Sequence, residues 1–170
     1  IEKALIKKRS SQRFPNNIEI EAALKDKDLY NTQAKNRLYY FEQMEHFRNP
    51  ERVDLSSADI TIEHIFPQNP DIKWKSDITD TDYKLFSEKY LNTIANLTLS
   101  GNNGALWNNS FSEKRDMNKY EWRQVYSYSI LWMNEALKTK DGWNVEELEE
   151  RFKLLYNRYT SIWKYPSITI

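Results

Sequence analysis

The 170-residue chain has two histidines, and their surroundings differ. His46 stands beside Glu45 near the end of a predicted helix, where an imidazole suits the helix dipole and needs no further role. His64 closes Ile60-Thr61-Ile62-Glu63-His64-Ile65, in which apolar and polar residues alternate as in a strand with Ile60 and Ile62 facing the core; Pro67 and Pro70 end it. A second run, Asn96-Leu97-Thr98-Leu99, reads as another short strand. The turn Ser100-Gly101-Asn102-Asn103-Gly104 closes it, and the capping box Ser110-Phe111-Ser112-Glu113 then opens a helix at Ser110. Strand, strand and turn-helix each carry one polar group. Phosphodiester hydrolysis needs such a set. A neutral imidazole takes a proton from water near neutral pH, and oxygen ligands hold a divalent cation against the phosphate and leaving oxygen. A short two-strand hairpin packed on a helix keeps both in line.

Two short strands cannot stand alone, so helices must bury them. Residues 1–50 read as a helical lead-in. Asn17 is expected to cap a short helix carrying Ile18, Ile20, Ala23 and Leu24, and a longer helix carries Leu38, Phe41, Met44 and Glu45. Arg13-Phe14-Pro15 breaks the chain before the first, and Asn49-Pro50 stops the second. Residues 51–118 form the core with the two strands and a helical insertion that places Tyr83, Phe86, Tyr90 and Leu91 on one face. Residues 119–170 add C-terminal helices. There, Asn144 caps a helix with the stripe Val145, Leu148, Phe152, Leu155, Tyr159 and Ile162, and with Glu146 and Glu147 in its first turn. The expected class is α+β, mainly helical, in one compact domain.

Composition narrows the chemistry. The absence of cysteine removes disulfides, zinc ribbons and thiol nucleophiles, and it fits a reducing cytoplasm. Six Trp and eleven Tyr allow a large core. No apolar run approaches the length of a membrane span, and no signal peptide pattern opens the chain. The first residues, Ile1 to Arg9, read like the middle of a helix, as expected of a fragment of a longer protein. The formal net charge is zero, which argues against a non-specific DNA coat but leaves room for local basic patches. Lys7-Lys8-Arg9 with Arg13, and Lys114-Arg115 with Lys119 and Arg123, are the candidates. With three glycines and no Gly-rich phosphate loop, nucleotide binding is not expected here.

Thr61-Ile62-Glu63-His64-Ile65-Phe66-Pro67-Gln68, then Tyr90 through Leu99, then Asn103 and Leu106 through Arg115 resemble the C-terminal nuclease domain of GmrSD-type modification-dependent restriction enzymes. Related domains occur in phosphorothioate-sensing phage-defence proteins. Arg13-Phe14-Pro15 with Leu29-Tyr30-Asn31 is similar to that family's helical lead-in, and Trp143-Asn144 through Trp163 to its final helix, so the likeness covers most of the chain.

The resemblance implies a small ββα-metal (HNH, or His-Me finger) core embedded in flanking helices and a DNA endonuclease using Mg²⁺ or Mn²⁺. It implies His64 as general base on the attacking water and Glu63 as an acidic metal ligand. Asn96 would brace the loop after His64 and so orient its imidazole. Asn103 or Asn108 would bind the metal or the scissile phosphate, Asn108 lying just before the Ser110 cap, where a helix N-terminus favours phosphate. Gln68, Lys114 and Arg115 are the implied substrate contacts. Two departures stand out. Gly104, Ala105 and Trp107 replace more polar residues, and Ala95 takes the place of a frequent Gly. The implied partners are DNA, including modified phage DNA, and an N-terminal nucleotide-hydrolysing or sensing domain outside this chain. Two alternatives use the same residues: a weakly catalytic nucleic-acid-binding or regulatory module, and a nuclease acting on RNA.

Overall fold

The computed structural model describes residues 2–9, 12–32, 36–49, 52, 54–55, 60–101, 103–116 and 125–166, without the side chains of residues 2–4, 103 and 105. Lys119 and Arg123 of the second basic cluster lie outside the described residues. Helices α1 (Glu2–Lys7), α2 (Asn17–Asp26), α3 (Leu29–Thr32) and α4 (Arg37–His46) precede strand β1 (Thr61–His64). Then come α5 (Trp74–Asp77), α6 (Asp80–Leu85), a π-helical turn (Phe86–Tyr90) and a 3-10 turn (Ile94–Asn96), which runs straight into β2 (Leu97–Ser100). After β2 follow α7 (Asn103–Leu106), α8 (Phe111–Asp116), a 3-10 turn (Tyr126–Tyr128), α9 (Trp132–Glu135) and α10 (Val145–Ile162). The fold is mainly helical around one small antiparallel sheet, as the sequence implies for an α+β chain.

Capping chemistry sets the helix starts. Asn16, not the expected Asn17, caps α2. Its side chain accepts from the Glu19 N–H at 3.0 Å while the Glu19 carboxylate accepts from the Asn16 N–H at 2.9 Å. Only Asn16 stands three residues before a glutamate, so the reciprocal box selects it. The Ser110–Glu113 box and the Asn144 cap form at their expected places. Ser100 extends β2 and Asn103-Gly104 already begins α7, so the expected turn is shorter than residues 100–104.

The strands pair with Thr61 opposite Ser100, Ile62 opposite Leu99, Glu63 opposite Thr98 and His64 opposite Leu97. They are not a hairpin: residues 65–96 run between them. With no tight turn to fix the register, side chains from other elements hold β2. The Asn134 amide donates to the Leu99 carbonyl at 2.9 Å and accepts from the Thr98 hydroxyl at 2.5 Å. Arg151, buried on the apolar stripe of α10, donates to the carbonyls of Ala95 at 2.8 Å, Leu97 at 3.0 Å and Met133 at 2.8 Å. Burial pulls its guanidinium down to about 10, still charged at neutral pH.

The core beneath is aromatic. Phe66 stacks on Phe86 with centroids 4.9 Å apart and meets Trp74 edge-on at 5.0 Å, and Phe111 stacks on Trp143 at 5.8 Å. Leu148, Phe152 and Leu155 of α10 are buried with it, and Ile60 and Ile62 pack at its margin, less buried than Glu63 and His64. Glu45 is buried. It accepts the backbone N–H groups of Trp132 and Met133 at 2.7 and 2.9 Å, at the start of α9. No described helix is long and apolar enough to cross a membrane.

Replacing Arg151 by Met keeps most of the volume but strands three buried carbonyls. Urea unfolding of Arg151→Met is expected to show a loss of about 3 kcal/mol; an unchanged midpoint contradicts this account of how β2 is held.

Candidate active site

His64 ends β1 and is itself buried, and the backbone around it is fixed from two directions. Past the residue, the Asn96 side chain clamps Phe66: Oδ1 accepts the Phe66 N–H and Nδ2 donates to the Phe66 carbonyl, both at 2.9 Å. Nδ2 also donates to the Leu91 carbonyl at 2.9 Å, and Oδ1 accepts from the Trp143 indole at 3.1 Å. Both donors and both lone-pair positions of this amide are therefore used. The Asn96 carbonyl takes the Ile65 N–H at 2.9 Å as well.

From the other side comes Lys114 of α8, whose side chain is 0% exposed. Its ammonium donates to the Glu63 carboxylate at 2.5 Å and to the His64 carbonyl at 2.6 Å. Burial pushes Glu63 up and Lys114 down, each toward its neutral form, and their contact opposes both shifts. Lys114, expected among the substrate contacts, is enclosed here, and the carboxylate of Glu63, expected at a metal, faces its ammonium. Nothing local in sequence couples residues on two such distant elements.

The imidazole itself lies against Tyr30, with centroids 4.5 Å apart, and the Arg37 guanidinium lies over the Tyr30 ring at 4.2 Å. Its Nε2 meets the Asn92 Oδ1 at 3.0 Å, and the Asn92 Nδ2 donates in turn to Asp28 Oδ2 at 3.1 Å. Burial holds the imidazole below its ordinary range; the Asn92 contact pulls up, and the Lys114 and Arg37 charges push further down. His64 opens on a cleft lined also by Tyr30, Pro67, Gln68, Asn69, Trp107 and Asn108. Trp107 is 68% exposed and, though not glycine, sits at φ 29°, a left-handed strained conformation.

The family model of the GmrSD restriction endonuclease C-terminal domain matches residues 14–158. The chain belongs to that family. Among curated proteins no match was found.

Of the residues that GmrSD-type resemblance singles out, Glu63, His64, Gln68 and Asn108 line the cleft, and Asn96 sits directly behind it. Asn103 begins α7, which packs on β1, but its side chain lies outside the described residues. Arg115 does not reach the cleft lining; it pairs with Asp116 and Asp141 and donates to the Lys140 carbonyl. Among the described residues no group of three His, Cys, Asp or Glu converges, and the Glu63 carboxylate faces the Lys114 ammonium. Two contacts behind His64 were given no role from sequence: Asn92 was readable as a second polar residue on the Asn96 segment, whereas Asp28 gave no signal. Trp107, noted there only as a departure from the family pattern, lines the cleft with Asn69.

The Lys114–Glu63 pair yields a double-mutant test. Lys114→Met alone leaves a buried carboxylate without its cation and is expected to cost about 3–5 kcal/mol; adding Glu63→Gln recovers most of that loss. Equal thermal unfolding of Lys114→Met and wild type contradicts the pairing.

Proposed function

We propose that this domain hydrolyses phosphodiester bonds in DNA on an HNH (ββα-metal) core, with His64 taking the proton from the attacking water. The observation that carries the reading is one buried, neutral-leaning imidazole, clamped by its neighbours at a strand end and opening on a cleft rimmed with amides. Family membership supports nuclease chemistry and DNA as substrate. A general base works best when its unprotonated form predominates at the working pH, and the depressed imidazole meets that condition.

Asn96 acts by holding the Phe66 backbone, and so the turn after His64, in place. Asn108 and Gln68 face the phosphodiester from the cleft, with Asn103 as the alternative phosphate-side residue. Trp107 offers an exposed indole at the rim, a surface on which an unpaired base stacks. The proposal includes Mg²⁺ or Mn²⁺ as the family's cation, without Glu63 as its ligand; the proton transfer assigned to His64 does not involve the ion. Recognition of a modified base and control by nucleotide belong to an N-terminal domain outside these residues. One such centre cuts one strand at a time, so nicking is the expected product.

Nicking of supercoiled plasmid by His64→Ala is expected to fall about 10²–10⁴-fold below wild type, with Trp107→Ala raising KM and sparing kcat. Equal nicking by wild type and His64→Ala removes the catalytic reading, and DNA binding without cleavage by both makes this a binding module.

A further inference from the structure

We infer that Asn92, backed by Asp28, is a positioning residue that fixes the His64 tautomer and leaves Nδ1 as the nitrogen that receives the proton. The inference rests on the hydrolytic reading only for what Nδ1 does; the tautomer itself follows from a chain of three side chains.

The chain begins at Asp28. Its carboxylate is an acceptor and cannot donate, and it is held by the Asn31 N–H at 2.7 Å and the Asn31 side-chain amide at 2.8 Å. Those bonds, opposed by partial burial, keep it below the usual carboxylate range and so ionised at neutral pH. An ionised carboxylate 3.1 Å from the Asn92 amide admits only the NH₂ end of that amide. The amide orientation is thereby decided, and its oxygen must face His64, 3.0 Å from Nε2. An amide oxygen only accepts. A neutral His64 must therefore carry its proton on Nε2, and Nδ1 is left with the free lone pair. Among the described residues no donor occupies Nδ1.

The three partners come from separate parts of the chain: Asp28 just before α3, Asn92 between the π-helical turn and β2, and His64 on β1. Asn92 is itself anchored, since its carbonyl accepts the Leu29 N–H at 2.9 Å beside Asp28. The two segments are thus stitched together by a backbone bond and a side-chain bond, and Tyr30 of the same α3 segment covers the imidazole face. The arrangement does for His64 what a carbonyl or carboxylate does behind a ligating or catalytic histidine: it fixes ring rotation and tautomer. When Nδ1 takes a proton from water, the resulting imidazolium donates at Nε2 to an amide oxygen oriented by a negative charge, which stabilises the cation without a direct carboxylate contact. No covalent bond to the protein forms; the proton moves from water to Nδ1, and the hydroxide oxygen goes to phosphorus as the leaving oxygen departs.

The test is long-range ¹H–¹⁵N correlation NMR of the ring nitrogens in uniformly labelled protein without DNA, in mildly alkaline buffer. His46 supplies the only other ring signals. Wild type is expected to show His64 protonated on Nε2, with a slowly exchanging ring proton. A His64 protonated on Nδ1, or one exchanging between tautomers, overturns the inference. Asn92→Ala is expected to lose the slow ring proton and about tenfold in kcat with KM unchanged. The exchanged pair Asp28→Asn with Asn92→Asp, which again places an oxygen opposite Nε2, is expected to restore the ring proton. Loss of thermal stability in Asn92→Ala with the Nε2 proton intact makes Asn92 structural and also overturns it. Because the tautomer is read without substrate, an Nε2 proton in a protein that cleaves nothing leaves the positioning intact and removes only the hydrolytic reading.

Discussion

One amide holds the site together. Asn96 has two donor hydrogens and two acceptor positions, and Phe66, Leu91 and Trp143 take all four in a place fully shut off from water. Leaving any of these groups unpaired in such a place costs far more than a made bond contributes, so the arrangement is nearly all-or-none. It ties three otherwise separate pieces together: the turn after β1, the segment before β2 and the loop leading into α10. His64 has its position because Phe66, two residues on, cannot move.

The same logic explains where the positive charge went. Lys114 and Arg151 are buried and spend their donors on backbone carbonyls, Lys114 with a carboxylate partner and Arg151 with none. Arg158 does likewise at the C-terminal end of α4, donating to the carbonyls of Met44 at 2.6 Å and Phe47 at 2.5 Å while covering the Trp132 ring at 3.6 Å. A formal charge of zero therefore overstates the positive charge these residues present to solvent. Three cations are used as braces, and two of them, Lys114 at β1 and Arg151 at β2, help keep strands of four residues each in place without a hairpin turn.

What the sequence made legible was local. The Ser110 and Asn144 caps, both strands, the amphipathic face of α10, and the order His64, Asn96, then the helix opened at Ser110 all follow from residues within a few positions of one another. The capping of α2 was misplaced by one residue, because the deciding partner was Glu19 rather than the first helical residue. What escaped was set by contacts at long separation: Lys114 with Glu63, Arg151 with the carbonyls flanking β2, and Asp28 with Asn92. An acidic residue beside a strand histidine reads equally well as a metal ligand or half of a buried ion pair. The partner that arrives on α8 is invisible from the strand alone.

The proposed hydrolysis runs through one proton on His64, and two titrations compared on the same protein probe it. The first follows the His64 ring signals by NMR; the second follows the rate of plasmid nicking. Burial lowers the His64 value, so the neutral base persists below the ordinary imidazole midpoint of about 6.5, and activity should hold on acidification until that lower value is passed. The account predicts one shared midpoint, below 6.5, for ring and rate. A rate that falls at a pH where the His64 signals do not titrate would contradict it.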